Sequence, residues 1–127
     1  VLFVDQSLEA GRLIEANLRA TIPKPRAAFV RLNLATTATL QSLRGHLPPT
    51  ARFDLILMDP PYSQDLVPRL LRLIDTEALL EPGGLVVVEE HFQVELPDSI
   101  GSLHRTDHRR YGETGLWFFQ RTTSPQP

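Results

Sequence analysis

Alternating strand-like and helix-like segments predict an α/β fold of the Rossmann-like kind, an open and mostly parallel sheet with helices on both faces. Three observations carry this expectation. Four short runs, residues 1–4, 27–32, 53–58 and 85–88, are almost wholly apolar, as in strands buried on both faces of a sheet. Between them lie segments with apolar residues every three to four positions, the spacing of one helical face. Asp5, Asn33, Asp59 and Glu89 each stand directly after one of the runs, where sheets of this class bind their ligands.

The elements follow in order. Residues 1–4 form the first strand, and Leu8, Leu13, Ile14 and Leu18 mark the helix after it. Ser7 is its expected N-cap, and Pro23 and Pro25 stop it just after Thr21. A second strand over 27–32 leads to a second helix over 36–44, closed by Gly45 ahead of Pro48-Pro49. Phe53-Asp54-Leu55-Ile56-Leu57-Met58 is the most strand-like run, and Asp59-Pro60-Pro61-Tyr62 ends it because consecutive prolines continue neither a central strand nor a helix. Leu66, Leu70, Leu71 and Ile74 share one face of the next helix, with Arg69 and Arg72 turned to solvent. Glu81-Pro82-Gly83-Gly84 is the expected tight connection into the strand over 85–89. Residues 102–108 and 115–120 read as an antiparallel pair closing the sheet, with Trp117, Phe118 and Phe119 as packing residues. Residues 122–127 are a polar tail, so the domain spans 1–121.

Composition narrows the function classes. The chain has 127 residues, 13 basic against 15 acidic, and is 42% hydrophobic and 22% charged, which suits a single folded domain and excludes a strongly self-repelling disordered chain. No cysteine is present, so disulfides, thiolate metal sites and a cysteine nucleophile are excluded, in keeping with a reducing, cytoplasmic setting. No apolar run approaches the roughly 20 residues of a membrane span, and a soluble protein is expected. The chain opens without methionine, inside its first apolar run, which predicts that it is part of a longer polypeptide.

The chemistry concentrates at Asp59-Pro60-Pro61-Tyr62. Two prolines remove two backbone donors and fix φ near −65°, so the Asp59 carboxylate and the Pro60 carbonyl become a rigid pair of acceptors. Tyr62 adds an aromatic face. Two acceptors beside a stacking platform suit a planar ligand with an NH2 group, as when an extruded base is recognised. Acceptors holding both hydrogens favour a pyramidal, nucleophilic nitrogen and the positive charge that develops as a methyl group arrives, so no strong base is required.

These four residues resemble the [D/N]-P-P-[Y/F/W] motif of amino-methyltransferases that use S-adenosylmethionine. Leu2-Phe3-Val4-Asp5 resembles the second strand of that fold, Glu15-Ala16-Asn17-Leu18 the helix after it, and Leu80 through Glu89 the turn and fifth strand. Arg110-Tyr111-Gly112-Glu113-Thr114 resembles the Y-G-D-T element of one subgroup, the RsmD family, which methylates N2 of a guanine in 16S ribosomal RNA. The resemblance implies that Asp59, Pro60, Pro61 and Tyr62 are catalytic and that S-adenosylmethionine is the cofactor. It implies that Asp5 meets the cofactor ribose and Asn33 the adenine, with Gln6 and Asp59 also at the cofactor. The implied partner is ribosomal RNA or the assembling small ribosomal subunit, with no membrane, no metal and a monomeric enzyme.

The family's first strand and glycine-rich loop have no counterpart in the sequence, and Gly83-Gly84 follows the wrong element to replace them. Both are expected upstream of Val1, their absence leaving a gap in mid-sheet and a weakly stable, inactive piece. The basic run of Arg105, Arg109 and Arg110 with Tyr111 is the candidate RNA contact. His104 and His108 lack a third ligand for a metal, and Glu89 and Glu90 either pair with the basic run or line the substrate mouth. Two other functions fit the same residues: a DNA adenine-N6 methyltransferase, and a non-catalytic RNA-binding or interaction module on the same fold.

Overall fold

A computed structural model describes residues 1–21, 27–33, 42–61 and 65–123, which fall into two compact units, Val1–Pro49 and Thr50–Pro127. In the first unit, β1 (Leu2–Asp5) pairs in parallel with β2 (Ala28–Arg31), in register from Leu2 with Ala28 to Asp5 with Arg31. Between them runs α1 (Leu8–Thr21), whose start is capped as the sequence predicts: the Ala10 N–H donates to Ser7 Oγ at 3.1 Å. Gly11 lets α1 lie close on β2, since a Cβ there would stand 2.4 Å from the Phe29 ring. The strand and helix expected before and after residues 22–26 are therefore present, while Pro23 and Pro25 lie outside the described residues.

The expected second helix falls mostly on residues 34–41, also outside the described residues. Its described end is a 3-10 turn, Leu43–His46. Gly45 lies inside that turn and does not close it. Closure comes from Leu47, which is extended and donates its N–H to the Arg44 carbonyl at 3.0 Å, followed by two prolines that offer no N–H to continue the turn.

The second unit is a five-stranded sheet in the order β3-β4-β7-β6-β5. β3 (Phe53–Met58) and β4 (Leu80–His91) are parallel and joined by α2 (Leu66–Thr76). β5 (Ser99–Ile100), β6 (Leu103–Tyr111) and β7 (Thr114–Arg121) pair antiparallel, and β7 inserts between β4 and β6. The sheet is thus mixed, with the predicted antiparallel pair at the C-terminal side. β1 and β3 are each an edge strand of their own sheet.

Strand alternation divides the five-stranded sheet into two faces. Val86, Val88, Trp117, Phe119 and Leu103 are buried on one, with Leu66, Val67, Leu70, Leu71 and Ile74 of α2 completing the core. Leu85, Val87, Leu116 and Phe118 form the other face and are half-buried. Leu55 and Leu57 extend that second face on β3 and are 53% and 72% exposed. Phe118 therefore points away from its two buried neighbours, because the period of a strand is two. Arg72 is exposed and Arg69 half-buried.

Two boundaries differ from expectation. Residues 81–84 do not connect into a strand but bulge within one: between the pairs Phe53–Leu80 and Leu55–Leu85, β4 spends three more residues than β3. Gly83 takes φ 79°, its carbonyl accepts from Gln120 Nε2 at 3.1 Å, and the Arg121 guanidinium bonds the Leu80 carbonyl, so β7 holds the bulge in place. β6 also runs on through Arg109, Arg110 and Tyr111, residues expected beyond the strand, because each finds a ladder partner on β7. The hairpin then turns on Gly112 and Glu113 alone, with Gly112 at φ 62° in the first central position of a II′-type turn. Among the described residues, no helix is long and apolar enough to cross a membrane.

Candidate active site

The second unit gathers its polar groups at one end of the sheet. β3 and β4 are parallel and their final mutual pair is Met58 with Val88, so Asp59 leaves the carboxyl end of β3 beside Glu89, which lies within β4 two residues before its end. The Asp59 side chain as a hydrogen-bonding neighbour, then burial and the Asp59 charge, push the Glu89 carboxyl up from its ordinary value. Asp59 and Pro61 are exposed and Pro60 is half-buried, which leaves the diproline turn accessible. Tyr62 lies outside the described residues. Glu90, the next residue along β4, faces the core at 2% exposure, and its Oε1 accepts the His91 N–H at 2.7 Å. Of the two glutamates, Glu90 is therefore structural and Glu89 belongs to the site. The signal for this was the strand period, which sends consecutive residues to opposite faces.

β7 runs antiparallel to β4, and this brings the tip of the β6–β7 hairpin to the same end as Asp59 and Glu89. His91, Thr114 and Tyr111 stand in one row across the three strands, and Glu89, Leu116 and Arg109 in the next. Arg109 Nε pairs with Asp107 Oδ2 at 2.9 Å, and its guanidinium lies 5.9 Å from the Phe118 ring centre. Hydrogen bonds from Arg109 and from the His108 N–H lower the Asp107 pKa.

The basic run is not one patch. An irregularity at Thr106, between the pairs of Arg105 and Asp107, together with strand alternation, divides it between the faces. Arg109 and Tyr111 share the face of Glu89, and Tyr111 is 58% exposed. Arg105 and Arg110 lie on the other. There Arg105 forms an ion pair with Asp98, and Arg110 sits 3.5 Å from the Phe92 ring centre with Nε donating to the Gly112 carbonyl at 2.7 Å. His104 and His108 are both exposed, and His108 stacks on Trp117 with centroids 4.4 Å apart. Among the described residues, no group of three or more histidine, aspartate or glutamate side chains is arranged to hold a metal.

The first unit holds a second cluster. Asp5 ends β1 opposite Arg31, which places Asp5, Gln6 and Asn33 at the carboxyl end of the parallel pair, ahead of α1. Asp5 Oδ1 accepts the Ser7 N–H at 2.7 Å, and the Gln6 carbonyl accepts Arg31 Nε at 3.0 Å. The turn is thereby fixed, with Asp5, Gln6 and Asn33 all exposed. A carboxylate held by one oxygen, with an amide nearby, is a donor and acceptor set that fits a nucleoside: a carboxylate for the ribose diol, an amide for a base edge. None of the described residues forms a glycine-rich turn after a strand.

Residues 1–120 match the model of a family described as conserved hypothetical protein 95. A Bacillus subtilis protein named "Putative rRNA methyltransferase YlbH" is 33% identical over 120 residues, covering 94% of this chain and 62% of the relative. The chain thus spans about three fifths of that relative's length. Among solved structures, a Streptococcus pyogenes conserved hypothetical protein superposes with a TM-score of 0.79 at 23% identity, over 94% of this chain and 70% of its own. A Haemophilus influenzae protein described as a putative methylase gives 0.79 at 18% identity, over 96% of this chain and 72% of its own. At these identities the two structures speak to the fold.

Proposed function

The chain belongs to the family described as conserved hypothetical protein 95, an RsmD-like family, and from that membership we propose that it serves the transfer of a methyl group from S-adenosylmethionine to the N2 amine of a guanine in 16S ribosomal RNA. The observation that carries this reading is the exposed Asp59-Pro60-Pro61 turn at the carboxyl end of β3, beside Glu89 and at the hairpin end that carries Arg109 and Tyr111. The cofactor supplies an electrophilic sulfonium methyl. Asp5 binds the ribose hydroxyls with the carboxylate that the Ser7 N–H orients, Gln6 lies next to it, and Asn33 meets the adenine edge.

At the second unit, the Asp59 carboxylate and the Pro60 carbonyl each accept one N–H of the guanine amine. Pro61 keeps the turn rigid by fixing φ. With both hydrogens held, the nitrogen lone pair turns out of conjugation with the ring, and the Asp59 charge stabilises the positive charge that grows on nitrogen. Tyr62 stacks on the base. Of the basic run, Arg109 and Tyr111 meet the RNA backbone on the face of Glu89, while Arg105 and Arg110 offer their charge on the opposite face at the hairpin. The Arg109–Asp107 pair is exposed, so exchanging it for a phosphate costs little. The enzyme acts as a cytoplasmic monomer on ribosomal RNA or on the assembling small subunit.

Isothermal titration of S-adenosylmethionine tests the cofactor half. The full gene product binds it, and Asp5→Ala weakens binding by roughly 10-fold to 100-fold, the scale of a hydrogen bond to a charged group. Equal affinity in the variant would return Asp5 to the role of ordering the turn before α1. RNA contact is tested by salt. Replacing Arg109 and Arg110 with alanine reduces the slope of log K against log salt by about 1 for each phosphate contact removed. An unaltered slope would make both residues solvated surface.

A further inference from the structure

We propose that the pocket between β6 and the segment after β4 takes an unpaired base of the RNA, stacked on the imidazole of His108. The inference rests on the RNA reading given above and adds a second base contact to the one at Asp59.

Phe92, Gln93 and Glu95 of the segment after β4, with Arg105, His108 and Trp117 of the hairpin strands, line an open pocket of about 550 Å³, a volume in the range of small-ligand sites. Its walls are pinned at both ends of that segment. The Phe92 N–H donates to the Glu113 carbonyl at 2.9 Å, and the Arg110 guanidinium lies 3.5 Å from the centre of the Phe92 ring. Further on, Arg105 donates to the Leu96 carbonyl at 3.5 Å and pairs with Asp98, and the Leu96 side chain is buried. Gln93 and Glu95 stand exposed between the two anchors. A pocket built this way is formed in advance, so little ordering is left for the ligand to bring about.

His108 makes the pocket a stacking site. Its ring lies on the Trp117 indole with centroids 4.4 Å and planes 16° apart, while the residue itself is exposed. One face of the imidazole is therefore covered, and a planar ring laid on the other continues the stack. Trp117 is fully buried and holds the platform still. Aromatic platforms of this kind hold unpaired bases. At the rim, Gln93 offers an amide and Glu95 a carboxylate to the edge of a base. Arg105 and Arg110 flank His108 on the same face of β6 and supply positive charge for the adjoining phosphates.

The register sets this pocket near the proposed amine site. His108, Trp117, Val88 and Met58 form one row across β6, β7, β4 and β3, and Asp59 follows Met58. Three strand spacings, roughly 14 Å, separate the ends of the row. A strand of RNA passing over this end of the sheet can place one base at Asp59 and a near neighbour at His108.

The test measures binding of two probes by the full gene product: a fluorescein-labelled oligoadenylate, and an oligoribonucleotide of the same length without bases. His108→Leu, which still covers Trp117 but has no ring, weakens oligoadenylate binding by roughly 10-fold. Its affinity for the abasic probe and its salt slope stay as in the unmutated protein, because no phosphate contact is removed. His108→Phe restores a π face and keeps oligoadenylate affinity within about 3-fold. Unchanged oligoadenylate binding in His108→Leu, or equal losses for both probes, would overturn the stacking role. AMP bound as tightly as oligoadenylate, and equally dependent on His108, would overturn the RNA assignment in favour of a free nucleotide. A methyl-transfer assay on the same protein separates this inference from the reading it rests on. Transfer to RNA without any dependence of oligoadenylate binding on His108 overturns the pocket alone, whereas that dependence without transfer supports the pocket and rejects the methylation reading.

Discussion

Asp59→Ala in the full gene product lowers methyl transfer by roughly 100-fold or more, with affinity for S-adenosylmethionine close to that of the unmutated protein. The magnitude follows from what is lost. Asp59 stands just past the end of β3, with two prolines after it, and in the proposed role its contact with the amine strengthens as the nitrogen becomes positive. An interaction that grows toward the transition state appears in kcat, whereas a uniform binding contact appears in KM. Asp59→Asn keeps an acceptor without the charge and falls between the two. Unchanged turnover in Asp59→Ala would remove this residue from the chemistry.

The second large effect is on stability. Trp117→Ala lowers the unfolding free energy by about 3–5 kcal/mol, the usual cost of deleting a large aromatic side chain from a core. Trp117 is fully buried in β7, pairs across to Val88 and stacks on His108. Gly115 is shaped to it, since a Cβ at that position would lie 2.5 Å from the Trp117 ring. The indole Nε1 has no hydrogen-bond partner among the described residues, so the loss is one of packing. Against a typical domain stability of about 5–15 kcal/mol, the substitution takes a large share. Trp117→Phe recovers part of it by refilling the space. Urea unfolding monitored by circular dichroism measures both variants, and a loss below about 1 kcal/mol for alanine would contradict the packing described for β7.

Much of this architecture is legible in the chain itself. The run from Phe53 to Met58 is a strand to the residue, because it is apolar at both parities and is cut by Asp59 and two prolines. The α2 face follows from spacing alone, and Ser7 caps α1 through a local bond three residues away. What was not legible depends on partners distant in sequence. Gly83-Gly84 suggests a turn, yet β3 and β7 hold both sides of it and make it a bulge. Arg105, Arg109 and Arg110 look like one basic run, and only the pairing with β7 and the irregularity at Thr106 show that they serve two faces. Glu89 and Asp59 are thirty residues apart, and the parallel register alone makes them neighbours. The Asp59-Pro60-Pro61 turn was readable because it is local, whereas Glu89 becomes its neighbour only through tertiary register.

The most direct test of the account is the identity of the methylated nucleoside. The full gene product, S-adenosylmethionine and 16S ribosomal RNA, free and within small subunits lacking the modification, are incubated together. The RNA is then digested to nucleosides and analysed by mass spectrometry. The account predicts a single new product, N2-methylguanosine, absent when Asp59→Ala replaces the unmutated protein. Methylation of adenosine N6 in DNA with none in the RNA would contradict the guanine assignment. RNA bound without any methyl transfer would contradict the enzyme itself and leave a binding module on a methyltransferase fold.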